Sequence, residues 1–297
     1  AAAPFAYLDG ATLHVEYAPS ITSVTIGNDG SGHLTATENG TTLSFAAGSI
    51  NDILVSSASG SDNTVAIAAT LGKPLAVNSA SGNDTIEVQS GASQSFDADA
   101  GASAANLNII IDPDASAIFG ASQHLAGLTI NGIAQVSAGS GATLVTQNLA
   151  VSGSLDLTDN DLIVVGGDLG TFSAGAYTGV TGLVASGAIA SSSAQARYTT
   201  LGVATAGDAL SIAGSQTAIF DGQTVSPGDV LVKFTYVGDA NLDGKVNIDD
   251  YGRIDGNVGQ SGTVFGWFNG DFNYDGKINI DDYGLIDSVI GSQGAVL

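Results

Sequence analysis

Ser57-Ala-Ser-Gly-Ser-Asp62 returns as Ser79-Ala-Ser-Gly-Asn-Asp84, 22 residues further on. Each copy runs into a short apolar strand pattern, Val65–Ile67 and Ile86–Val88. A corner, a strand and a return in about 22 residues is the size of one coil of a stacked β-solenoid. The segments that follow keep the rhythm less strictly: Leu107–Ile111, Leu128–Ile133, Leu144–Thr146, Leu149–Val151, Leu155–Leu157 and Leu162–Val165. None carries helix periodicity, so they favour stacked strands. A β-sandwich of hairpins is the competing arrangement, and the pattern alone leaves both open. The fold class read here is mainly β, a solenoid or sandwich body, with a small α-helical calcium-binding module at the C-terminal end.

Outward from this repeat the chain divides into three stretches. Residues 1–165 form the β-rich body. It opens with a hairpin over residues 5–17, whose turn is placed at Asp9–Gly10. In its second arm Leu13, Val15 and Tyr17 alternate with polar residues, so one face is meant to be covered, by this chain or by a neighbouring copy. Residues 166–236 are rich in Gly, Ser and Ala and read as a loop-rich layer. Phe220–Val225 and Val230–Tyr236 read as a final hairpin pair. Residues 237–297 form the C-terminal module, joined by Val237 and Gly238 alone, too short for a flexible linker.

That module is built on a duplication. Gly238-Asp-Ala-Asn-Leu-Asp-Gly-Lys-Val-Asn-Ile-Asp-Asp-Tyr-Gly-Arg-Ile-Asp255 returns, 32 residues on, as Gly270-Asp-Phe-Asn-Tyr-Asp-Gly-Lys-Ile-Asn-Ile-Asp-Asp-Tyr-Gly-Leu-Ile-Asp287. Calcium prefers six to eight hard oxygen ligands, which a twelve-residue loop supplies from positions 1, 3, 5, 7, 9 and 12 around a glycine at 6. In the first copy these are Asp239, Asn241, Asp243, the Lys245 carbonyl, Asn247 and Asp250, with Gly244 at the turn. In the second they are Asp271, Asn273, Asp275, the Lys277 carbonyl, Asn279 and Asp282, with Gly276. Asp, Asn and Gly also make ordinary turns, but two copies with one ligand order point to two Ca2+ sites. A short helix is expected after each loop, with Ile248, Tyr251, Ile254 and Val258 on the apolar face of the first. The second offers Ile280, Tyr283, Ile286 and Ile290. Trp267, the only tryptophan, reads as the plug between the two units.

These paired Asp-x-Asn-x-Asp-Gly loops, each followed by one helix, resemble dockerin-type modules over residues 237–291. The resemblance implies a tandem loop–helix (F-hand) fold that binds two calcium ions and, in its best-known setting, a cohesin partner. Positions 10 and 11, where many dockerins present small hydroxyl residues, are Ile248–Asp249 and Ile280–Asp281 here. The layout of β body and calcium tail also resembles secreted bacterial surface proteins of unassigned function.

Composition bounds the rest. With 29 acidic against 6 basic residues the formal charge is −23, which argues against nucleic acid or anionic lipid as a partner. Ten of the acids fall in the last sixty residues, where bound calcium would offset their repulsion. There is no Cys, so disulfides and thiol chemistry are excluded. No stretch is long and apolar enough to span a membrane as a helix. The start, Ala1-Ala-Ala-Pro-Phe5, reads as a mature end left after signal removal, placing the protein outside the cell or on its surface. His14, His33 and His124 show no zinc or triad spacing. The pairs Asp97/Asp99, Asp112/Asp114 and Asp159/Asp161 have the types a glycosidase uses, but sit in turn-like contexts. The expectation is a non-enzymatic, extracellular, self-assembling structural subunit stabilised by calcium. Copies would join head to tail through the N-terminal strand arm. The alternatives are a binding module for a cohesin-like protein or glycan on a β spacer, and a polysaccharide-degrading enzyme.

Overall fold

The computed structural model describes residues 4–17, 21–57, 62–79, 82–101 and 106–297. Much of the repeated corner, residues 58–61 and 80–81, lies outside the described residues, as does the start of the chain. Two compact units are present, residues 1–155 and 156–297.

In the first unit the strands are β1 (Ala6–Asp9), β2 (Thr12–Glu16), β3 (Ser23–Asn28), β4 (His33–Glu38), β5 (Thr41–Ala46) and β6 (Asp52–Ser57). They continue as β7 (Thr64–Ile67), β8 (Leu75–Ser79), β9 (Asp84–Val88), β10 (Ser93–Phe96), β11 (Leu107–Ile111) and β12 (Ser116–Phe119). β13 (Gln123–Ile130), β14 (Ile133–Val136) and β15 (Thr143–Val151) complete the set. Five successive parallel steps join β3, β7, β9, β11, β13 and β15. Two further parallel ladders run β2–β6–β8 and β10–β12–β14. A sandwich of hairpins would be antiparallel; this is a β-solenoid. From β7 onward the register pairs Thr64 with Thr85, Thr85 with Asn108, Asn108 with Gly127 and Gly127 with Asn148. The coil therefore stays near the 22-residue period of the sequence.

Parallel stacking in register piles like on like. Val24, Val65, Ile86, Ile109 and Leu128 form one continuous buried row, and Ile26, Ile67, Val88, Ile111 and Ile130 the next. Each such side chain contributes about 1.5–3 kcal/mol on leaving water. On the β10–β12 ladder Phe96 stacks on Phe119 at 5.3 Å between ring centroids. Corner amides satisfy the backbone between coils: Asn108 Nδ2 donates to the Asp84 carbonyl, and Asn148 Nδ2 to that of Ala126. The corner acids act the same way, Asp62 accepting from the Asn83 amide and Asp84 from that of Asn63.

The N-terminal hairpin forms as expected, with its loop one residue later at Gly10–Ala11, because Asp9 pairs with Thr12. Its covered face packs on this chain: β2 pairs with β6, burying Leu13 and Val15. β1 is then the edge strand of its sheet, and β5 the edge beyond the antiparallel pairs β3–β4 and β4–β5.

After β16 (Ser154–Asp156), the second unit contains β17 (Asp161–Val164), β18 (Phe172–Ser173), β19 (Ala176–Tyr177), helix α1 (Gly179–Ala185) and β20 (Ile189–Ala190). It goes on with β21 (Thr199–Thr205), α2 (Ala206–Ala209), β22 (Ala218–Phe220), β23 (Gln223–Val225), β24 (Val230–Tyr236), α3 (Ile248–Asn257) and α4 (Ile280–Ile290). β24 is its central strand, antiparallel to β17 on one side and β21 on the other. The expected final hairpin pair is built differently. Phe220–Val225 closes on itself as β22–β23 around Asp221–Gly222, both with positive φ (45° and 80°), the geometry of a tight two-residue turn. β24 is thereby left to pair elsewhere. Among the described residues no helix is long and apolar enough to cross a membrane.

Candidate metal centres in two repeated loops

β24 delivers the first loop and the segment around Trp267 delivers the second. In both, the position-1 and position-12 carboxylates are fully buried: Asp239 and Asp250, Asp271 and Asp282. Asp239 Oδ1 accepts from the Asp243 amide (3.1 Å) and Oδ2 from the Gly244 amide (2.8 Å). Asp271 repeats this with the amides of Asp275 (3.1 Å) and Gly276 (2.9 Å). Asp250 draws in the Ala240 and Asn247 amides (both 2.8 Å), and Asp282 those of Phe272 (2.8 Å) and Asn279 (3.0 Å). Position 12 thus ties the start of each loop to its end. Asn247 and Asn279, at position 9, cap α3 and α4 by accepting from the Asp249 and Asp281 amides, and Asp250 and Asp282 complete capping boxes. Asn241 and Asn273 accept from the amides of Asp243 and Asp275, whose own carboxylates accept from Lys245 and Lys277 and face solvent.

The turn glycines are required by space as well as by φ. Gly244 and Gly276 have φ of 81° and 79°. A Cβ on Gly244 would lie 2.3 Å from the Leu297 carbonyl, and one on Gly276 2.2 Å from Phe172 Cζ.

The two loop–helix units pack reciprocally. A Cβ on Gly238 would strike Ile286 of α4, and one on Gly270 would strike Ile254 of α3. Tyr251 Oη donates to Asp287 and Tyr283 Oη to Asp255, each at 2.5 Å. Val246 and Ile278, at position 8, are buried. Trp267 is fully buried, against Phe272 and Tyr274, with its Nε1 donating to the Asp239 carbonyl at 2.6 Å. It is the plug the sequence suggests, and it also presses on Gly202 of β21, where a Cβ would come within 2.7 Å of its Nε1. The apolar faces are narrower than expected. Ile254 and Ile286 are buried, whereas Ile248 and Ile280 are 78% and 77% exposed; Val258 and Ile290, at the far ends, are exposed too, and Val289 is buried instead of Ile290. Ile248 and Ile280 open their helices one place after the capping Asn, before the helix has turned its side chains inward.

Electrostatically these loops are costly as they stand. Burial pushes Asp239 up to about 7 and both Asp250 and Asp282 up to about 6, and raises Asp271, in spite of the donors around them. Among the described residues no Lys, Arg or His forms an ion pair with any loop carboxylate. A buried carboxylate without a counter-charge is the condition that a bound cation relieves. The donor set of carboxylates, amide oxygens and a backbone carbonyl suits a hard ion such as calcium rather than zinc. Among the described residues no three acidic or histidine side chains close together as a preformed metal cluster.

Two participants had no signal in the loop pattern. Thr235 Oγ1 donates to Asp239 Oδ2, and Tyr177 Oη donates to Asp271 Oδ2 while accepting from the Gly266 amide (2.8 Å). Tyr177 is 94 residues from its acid, beyond the reach of motif reading. The residues outside the loops are dispersed. His124 pairs with Asp99 at 2.7 Å, His33 with Asp29 at 2.9 Å, and His14 stacks on Tyr7. Asp112 and Asp114 flank a turn in which Asp114 has φ of 62°.

No protein-family model matches the chain, and neither a curated protein nor a solved structure matches it.

Proposed function

We propose that the two loops bind calcium and that the protein is an extracellular structural subunit, self-assembling and stabilised by the ion. The supporting observation is the pair of position-1 carboxylates, Asp239 and Asp271, each fully buried, held by the amides of the same two loop positions, and paired with no Lys, Arg or His among the described residues. The first ion would be held by Asp239, Asn241, Asp243, the Lys245 carbonyl, Asn247 and Asp250. The second would use Asp271, Asn273, Asp275, the Lys277 carbonyl, Asn279 and Asp282. Calcium supplies positive charge there and no reaction. Both loops are packed on the second unit's strands through Trp267, Tyr177 and Tyr274, whose Oη donates to the Leu201 carbonyl at 2.9 Å. An ion would therefore brace a sheet as well as a surface loop.

Self-association is supported by the open edges of the solenoid. Glu16 N donates to the Phe5 carbonyl, so on alternate residues the amides of Ala6 and Leu8 face away from β2; Ala6 is buried, and the exposed Leu8 is the place where another strand could pair. The N-terminal arm then acts as an edge fixed to its own body, and addition of a second copy there is head-to-tail and does not close.

Native mass spectrometry tests the metal reading: two calcium ions for the full chain, one for Asp239→Ala or Asp271→Ala. Retention of two ions by Asp239→Ala would remove it. One observation favours the binding-module reading instead. Ile248 and Ile280 occupy equivalent exposed places beside Asp249 and Asp281, as a matched pair of contacts for a cohesin-like protein or a glycan. Capture of such a partner, lost in Ile248→Asp/Ile280→Asp, would favour that function.

A further inference from the structure

Away from the loops, the second unit holds a charged cluster for which the calcium reading has no use. Lys233 lies in the middle of β24 with its side chain only 6% exposed, an expensive place for an ammonium group. Two carboxylates meet it. Asp221, at the β22–β23 turn, has both oxygens 3.2 Å from Lys233 Nζ. Asp161 opens β17 and, one step along from the Leu162–Val232 pair, lies across from Lys233; its Oδ2 is 3.8 Å from Nζ. Its Oδ1 accepts from the Phe234 amide at 2.8 Å, which fixes the carboxyl group. The Phe220 ring covers Nζ at 5.1 Å from its centroid. One amine thus faces two carboxyl groups under an aromatic cover.

We propose that Lys233 and Asp221 condense to an intramolecular amide, Nζ to Cγ, with Asp161 carrying the protons. The ammonium first passes one proton to the carboxyl pair, leaving a neutral amine. Its lone pair attacks Asp221 Cγ while Asp161 hydrogen-bonds the carboxyl oxygen. A C–N bond forms. The C–O bond then breaks, and that oxygen leaves as water with two protons, both originally from the ammonium group, relayed through Asp161. Ammonium plus carboxylate becomes amide plus water, with no oxidant or co-reactant. Held contact replaces the encounter that makes this condensation unfavourable in solution, and a desolvated lysine is the form that acts as a nucleophile. Burial also holds the Asp161 carboxyl above the usual range, with Lys233 opposing and Asp221 adding to the rise. The bond would staple the β22–β23 hairpin to the strand that runs directly into the first calcium loop.

Intact mass decides it, on the full chain kept at neutral pH. The expected mass is about 18 Da, one water, below that of the sequence. Denatured tryptic digestion should then fail after Lys233 and give a 198–245 peptide, light by the same water. A full sequence mass with normal cleavage after Lys233 overturns the proposal. So does a light chain that is still cut there, which marks a succinimide at Asp221–Gly222. A cross-link from Lys233 into the 1–197 peptide, in which Lys73–Pro74 resists trypsin, moves the bond to Asp161 and also overturns it. Asp161→Asn, checked for native circular dichroism, should return to the full sequence mass; a folded, light Asp161→Asn chain removes Asp161 from the chemistry.

Discussion

Tyr177 shows how one side chain outside a motif governs it. Its hydroxyl donates to the first carboxylate of the second loop and accepts from the Gly266 amide, so one oxygen joins β19 to the start of the loop and the segment leading into it. Tyr177→Phe leaves a buried carboxylate and an amide each one partner short, at a cost of about 1–3 kcal/mol. Urea unfolding should show that loss with calcium present, together with weaker binding of one of two ions. An unchanged midpoint and unchanged affinity would mean that Tyr177 is incidental. Thr235 plays the equivalent part for Asp239. The loop residues and their spacing were legible because the motif is local, all twelve positions in one run of sequence. The hydroxyl donors were not, since they arrive through tertiary folding and carry no spacing.

At the scale of elements, two glycines of the repeated loop–helix unit have opposite roles in space. Gly276 sits in the left-handed region with Phe172 where a Cβ would go, whereas Gly252 lies in α3 with nothing within 4 Å of that position. Gly276→Ala should therefore destabilise the second unit and its proposed metal loop, while Gly252→Ala should stabilise α3 by about 1 kcal/mol. Thermal unfolding should move the two midpoints in opposite directions, and a loss of stability in Gly252→Ala would show that the helix face is otherwise engaged. The helices themselves were readable from the Asn and Asp capping pattern. Their buried faces were read too wide, because the periodic pattern ran from Ile248 and Ile280 at the first helical positions to Val258 and Ile290 at the far ends, where the helices no longer pack those side chains inward. The hairpin at Asp221–Gly222 was read as one arm of a larger pair, because apolar pattern marks a strand without naming its neighbour.

At the scale of the whole molecule, the 22-residue repeat fixed the coil length but not the direction of pairing. Parallel register, which makes the body a solenoid, is visible only when Val65 is found beside Ile86 and Ile86 beside Ile109. That register leaves strand edges at β1 and β5, and the proposed assembly uses the first of them. Leu8→Pro removes an outward-facing amide while sparing the bonds of β1 to β2, as an edge strand tolerates. It should yield a folded chain, native by circular dichroism, with assembly reduced at least about tenfold if one strand pairing carries the contact. Normal assembly would move the contact to another surface. The most direct measurement is electron microscopy of the purified protein in millimolar calcium and again after chelation. Filaments are expected with calcium, and they should shorten or dissolve once it is withdrawn. Monodisperse single chains under both conditions would contradict calcium-dependent self-assembly.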